Sequence, residues 1–259
     1  MSRRWHGANR RFWIGWRECR HREIPIYWNK RSGENLRKAI EQFTTAVDKD
    51  PNYALAFAGL ADCYVVMPYY SAMQSSDSLP QAKEYATRAL AIDEQLAEAH
   101  TSLAYVNQGL WNWAEAKKEY KRAIELNPNY ATAQLWYARF QLRVLNRGDE
   151  GLARLKRALE LEPLSLVVND NLIQIYLAQG DVNSSMEQAR RLIELDPNYW
   201  GGYYYLAYLH IKKGQNTEAL AGAKRGVELS KRSNRSLIAL GFALVASGKR
   251  SEALAVEGE

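Results

Sequence analysis

The sequence has little with which to build a disulfide framework: 259 residues hold two cysteines, Cys19 and Cys63, the second inside a predicted helix. A structural bridge is not expected, and a reducing, cytoplasmic setting is the simpler expectation. No apolar run reaches the roughly 18 residues that a membrane span needs. Proline and glycine are scarce, at 7 and 16. HExxH, G-x-S-x-G and phosphate-cradling Gly-Lys-Ser/Thr motifs are all missing. The histidines, His6, His21, His100 and His210, do not gather, and Cys19-Arg20-His21 is one pair of soft ligands with no second pair. No enzyme, no metal site and no cofactor are expected.

Charge of one sign is also lacking, once its location is considered. The net charge is +6, but residues 1–22 hold seven arginines against Glu18 alone, so the remaining chain balances to zero. Its body has no global field to attract a polyanion. In that N-terminal arm Arg alternates with Trp5, Phe12, Trp13 and Trp16, a combination able to neutralise phosphates and stack bases. A basic tail is common, however, and nucleic acid is not the expected partner. Arg10-Arg11-Phe12-Trp13-Ile14 has the outline of a twin-arginine signal, but Arg17, Glu18 and Arg20 interrupt the apolar stretch that must follow.

What the chain does have is apolar content, 47%, enough to exclude wholesale disorder, with Ala, Leu, Glu, Lys and Arg dominant. It also repeats. Asp50-Pro51-Asn52-Tyr53-Ala54 returns as Asn127-Pro128-Asn129-Tyr130-Ala131 and as Asp196-Pro197-Asn198-Tyr199, with a weaker copy at Glu162-Pro163-Leu164-Ser165. Placing a degenerate boundary at Asp93-Glu94 gives a period of 34 residues, with nine inserted in one unit and one in another. The proline stops a helix at each boundary, and the tyrosine can cover the junction.

Over about residues 22–259 this pattern resembles the tetratricopeptide repeat, in which each unit is an antiparallel pair of helices, A and B. The resemblance implies an all-α solenoid of six to seven units after an arm at residues 1–22. It places the family's small residue late in helix A at Ala61, Ala104, Ala138, Ala207 and Gly241. Early in helix B the small residue falls on Ala39, Ala82, Ala116, Gly151, Ser185, Ala219 and Ala253. Later in B it falls on Ala46, Ala89, Ala123, Ala158 and Gly226. Short side chains there let backbones approach. Ile173 and Leu192 break two of these columns and are expected to push helices apart. Pro25 limits the first A helix to about residues 25–30, and the insertion, Met67 to Ser78, is expected as a loop.

The resemblance further implies a concave surface lined by A helices that grips a protein or peptide. By frame these positions are Leu55, Ala58, Asp62 and Val65, then Thr101, Tyr105 and Gln108, then Leu135, Arg139 and Leu142. The fifth and sixth units supply Val167, Asp170, Gln174, Tyr204, Tyr208 and Ile211. Tyr105, Arg139, Tyr204 and Tyr208 are the expected anchors, since Tyr and Arg are enriched among binding hot spots. The paired Lys/Arg and Asn of a chaperone-tail clamp are absent. The expected function is a non-catalytic interaction scaffold. A second reading follows from Tyr27-Trp28-Asn29-Lys30-Arg31, Leu36 to Ile40 and Ala58 to Asp62. These are similar to the C-terminal repeat region of bacterial signalling proteins that also carry a winged-helix, cyclase-like or kinase domain. Neither terminus reads as a capping helix, which is compatible with end-to-end self-association or with a piece of a longer protein.

Overall fold

The computed structural model describes residues 33–70 and 73–257. The basic arm, its boundary at residue 22, the short first A helix, Cys19, His6 and His21, and Ser71 and Ala72 of the insertion lie outside the described residues. The chain divides into two compact units, Met1–Phe140 and Gln141–Glu259.

Among the described residues, the first unit opens with α1, Gly33–Lys49, a B-type helix. Then come α2, Ala54–Val66, a 3-10 turn at Met67–Tyr70, and α3, Ser75–Ile92. They are followed by α4, Ala97–Gly109, α5, Trp113–Leu126, and α6, Ala131–Arg143, whose last three residues belong to the second unit. The second unit continues with α7, Gly148–Leu161, α8, Leu166–Ala178, and α9, Val182–Leu195. Next are α10, Trp200–Lys212, α11, Asn216–Leu229, α12, Asn234–Ala246, and α13, Arg250–Glu257. No strand occurs among the described residues. The even-numbered helices are the A helices.

The two helix types occupy different environments. α2 buries ten of its 13 residues, whereas α5 buries only Ala116, Tyr120 and Ala123. The reason is contact on several sides: α2 touches α1, α3 and α4, and α10 touches α8, α9, α11 and α12. A helix enclosed on several sides must be apolar nearly all round; an outer helix needs one stripe only.

The small columns face inward, except at Gly241, which is half-buried and where a Cβ would meet nothing within 4 Å. Ala61, Ala104, Ala138 and Ala207 are fully buried, as are Ala39, Ala82, Ala116, Ser185 and Ala219. Gly59 adds a close approach the sequence frame does not specify: a Cβ there would lie 2.2 Å from the Phe43 ring of α1. Where Ile173 and Leu192 break the pattern, both are buried, in a cluster with Met186, Ala189, Tyr205 and Leu209.

Four of the unit boundaries share one hydrogen-bonded turn. The side chains of Asp50, Asp93, Asn127 and Asp196 each accept from the backbone N–H two residues on, at 2.9–3.1 Å. Their carbonyls accept from the N–H three residues on. This is an Asx turn. It explains why Asp93-Glu94 works as a boundary without proline: the acceptor side chain makes the turn, and proline only forbids the helix to continue. Inside units, the A-to-B turns need one left-handed residue, and Gly180, Gly214 and Gly248 supply it. Trp111 (φ 66°) and Asn146 (φ 52°) take that conformation in the third and fourth units.

The insertion is not a loop through Ser78. Its first residues form the 3-10 turn, and α3 starts at Ser75, with Asp77 in the first turn, where an acid favours the helix. Ser78 is fully buried, and Leu79 reaches Gly109 at the end of α4. The segment folds onto its neighbours.

Candidate functional site

The frame-derived surface positions separate into an interior set and an outward set. Asp62, Thr101 and Asp170 are interior, a correction to their expected place on a binding surface. So are Ala58, Val65 and Leu135. Their burial has a local cause. Asp62 accepts from the Ser102 hydroxyl of α4, and its Oδ2 accepts from Tyr130 Oη at 3.3 Å. Thr101 donates to the Ala97 carbonyl one turn back at 2.8 Å. Asp170 is enclosed by three donors: Gln174 Nε2 at 2.9 Å, Tyr199 Oη at 3.3 Å and Tyr205 Oη at 3.3 Å. Burial raises the Asp170 carboxyl above its ordinary range, opposed by the bond from Gln174, the nearby Arg235 and the two phenols. These aspartates are ties between helices, and the tyrosine of the Pro-Asn-Tyr boundary is a donor to each.

The outward set of the first unit centres on Tyr105 and Arg139, at equivalent positions of α4 and α6. Both are half-buried. The 3-10 turn brings a third residue to them, Tyr69, which is 53% exposed. Tyr69 and Tyr105 share a hydrogen bond between their hydroxyls, and Arg139 Nη2 donates to Tyr69 Oη at 3.2 Å. The guanidinium carbon stands 5.1 Å from the centre of the Tyr69 ring. Tyr105 in turn meets the edge of buried Trp136 at 5.1 Å. Gln108 accepts from the buried Tyr120 hydroxyl at 3.1 Å and serves the interior as much as the surface. Leu55 is half-buried.

In the second unit Leu142, Val167, Gln174 and Ile211 are half-buried. Gln174 accepts from Arg143. Tyr204 packs edge-on to Trp200 and Tyr205 and lies under Arg235, 4.8 Å from its ring centre. It is therefore partly a packing residue. Tyr208 is exposed, at 40%. One repeat further on, the same frame falls on Ile238, Phe242 and Val245 of α12, which are 57%, 60% and 52% exposed. The sequence reading stopped one unit short and missed them; adding 34 to Tyr204, Tyr208 and Ile211 finds them.

Among the described residues no group of three or more His, Cys, Asp or Glu side chains is placed to hold a metal ion. The half-buried pair His100 Nδ1 and Glu119 Oε2, 2.5 Å apart, joins α4 to α5. Cys63 is a buried free thiol. No helix among the described residues is long and apolar enough to cross a membrane.

Profiles of the tetratricopeptide repeat match residues 97–130, 173–199 and 189–221. The chain carries tetratricopeptide repeats. Solved structures of similar fold agree. PilW, a type IV pilus biogenesis factor, superposes with a TM-score of 0.62 at 20% identity, over 76% of this chain and 90% of PilW. A tetratricopeptide repeat protein from Parabacteroides merdae gives 0.59 at 18% identity, over 94% and 91%. YrrB, described as having an unusual peptide-binding site, gives 0.50 at 19% identity, over 78% and 98%. At such identities the likeness is one of fold. Among curated relatives, the transcriptional regulator HilA of Salmonella typhimurium is 24% identical over 135 residues, 52% of this chain. The match spans only 24% of that regulator.

Proposed function

We propose that this tetratricopeptide repeat chain is a non-catalytic scaffold, working in the cytoplasm, that binds a peptide or protein along the outward positions of its A helices. The observation that carries this reading is the exposure of Tyr208 on α10 and of its counterpart Phe242 on α12, with Ile238 and Val245 exposed on the same helix as Phe242. Large apolar side chains at recurrent places on neighbouring helices form a patch of the kind that marks an interaction site. The repeat fold supports a partner of protein nature, and YrrB shows a structure of similar fold described by its peptide-binding site. The test is a double replacement, Tyr208→Ala with Phe242→Ala, used as bait beside the unaltered chain in a native-host extract. Partners retained by the unaltered chain should be lost, while the melting temperature stays within about 4 °C, because two exposed substitutions at about 0.5 kcal/mol or less each change stability by about 1 kcal/mol at most. Unchanged retention refutes the assigned surface.

The match to HilA favours one second reading: the repeats are the sensory or regulatory segment of a longer transcriptional regulator. An antibody against residues 33–257 tests it in native extract. A band far larger than 29.6 kDa is expected under that reading. A band at that mass refutes it.

A further inference from the structure

Arg157 and Arg225 on outer helices, and Arg147 at the cap of α7, each meet a glutamate three residues on, at 2.7–2.8 Å. Arg139 is different. It lies on an A helix and is half-buried, and among the described residues no carboxylate is within ion-pair distance. A guanidinium presents five N–H donors in a planar fork. Here one goes to Tyr69 Oη, and no other acceptor of the described residues takes the rest. The polar groups that bear on it are the phenols of Tyr69, Tyr105 and Tyr120. A partly desolvated cation held by neutral phenols has a strong affinity for a single anion, and the fork geometry fits a carboxylate with two parallel hydrogen bonds. The Tyr69 and Tyr105 hydroxyls lie beside it as further polar contacts, and the Tyr105 and Trp136 rings give an apolar flank. One positive charge balances one negative charge. A doubly charged phosphate is left half-neutralised.

We propose that Arg139, with the hydroxyls of Tyr69 and Tyr105, forms a carboxylate-binding subsite for a peptide ligand on the A-helix face of the first unit. This inference rests on the scaffold reading above and names the ligand chemistry of that surface. The carboxylate comes from an acidic side chain or from a peptide C-terminus, and the test separates the two.

The full chain is immobilised and challenged with acetylated nonapeptide pools of randomised apolar and polar neutral residues. One pool has a central Glu and an amidated end, one a central Gln and an amidated end, one a central Gln and a free C-terminus, and one a central phosphoserine. Retention of the central-Glu or free-terminus pool should exceed that of the wholly neutral pool about tenfold or more, as expected for charge-assisted hydrogen bonds. Arg139→Met should bring the pools to parity, with folding checked by circular dichroism. Tyr69→Phe, at an exposed side chain, should reduce the preference several-fold without touching the guanidinium. Equal retention of charged and neutral pools overturns the subsite and leaves the scaffold reading standing. Tighter retention of phosphoserine than of either carboxylate overturns it in favour of a phosphate site. A preference that survives Arg139→Met places the carboxylate elsewhere and overturns it too. Retention of no pool removes the inference together with the reading on which it rests.

Discussion

Replacing Ala207 by isoleucine, a change of three carbons on α10, measures how closely the helix pairs are drawn together. Ala207 is fully buried among Ala219, Ala223 and Ala243. On the facing helix, a Cβ built at Gly222 would stand 3.6 Å from the Ala207 nitrogen and 3.7 Å from its Cβ. Main chain therefore faces main chain across the crossing, and main chain cannot rotate aside as a side chain can. Overpacking of this kind costs about 1–3 kcal/mol, a fall in melting temperature of roughly 2–12 °C for a domain of this size. One unit earlier the same column holds Ile173, packed on Met186, Ala189 and Leu192. There the reverse exchange, Ile173→Ala, leaves a void and is expected to cost about 2–5 kcal/mol. Urea unfolding followed by circular dichroism reads both. Two substitutions of opposite direction in one column should both destabilise. An Ala207→Ile variant as stable as the parent would refute the close-crossing argument.

Gly226→Ala should act the other way. A Cβ there meets nothing nearer than 3.7 Å, and the position lies inside α11, so alanine should raise stability by about 0.5–1 kcal/mol, seen as a higher urea midpoint. His100 predicts a pH dependence. Burial lowers its proton affinity, but the Glu119 carboxylate and the Glu94 carbonyl outweigh this, and the folded pKa is raised. The unfolded value is about 6.5, so the stabilisation is fully present below that pH and is lost as pH rises through the higher folded value. The stability difference between the parent and His100→Gln should shrink from pH 5.5 to pH 8.5; a constant difference would contradict the ion pair.

Much of the fold was legible because one physical requirement recurs. Ala104, Ala116 and Ala123 mark one helix pair, and a 34-residue shift carries the same need for short side chains along the chain. The candidate surface was less legible. A frame gives a position on a helix, but not what reaches it from elsewhere: nothing near Asp62 in sequence announces Ser102 and Tyr130, which take it into the interior. Nor does the spacing reveal that Tyr69, inside an insertion with no counterpart in other units, turns back to Arg139, 70 residues away. Insertions escape periodic reasoning because the period contains no information about them.

The buried aspartates limit how the repeats can come apart. In the first unit Asp62 is held by hydroxyls of two later segments, the more distant 68 residues along the chain. In the second, Asp170 is held by Tyr199 and Tyr205, beyond its own helix pair. Opening one pair strands a buried carboxyl oxygen in its neighbour, a penalty felt outside the segment that moved. Pairs tied in this way should open in blocks, and deuterium exchange should show their amides exchanging as groups rather than one hairpin at a time.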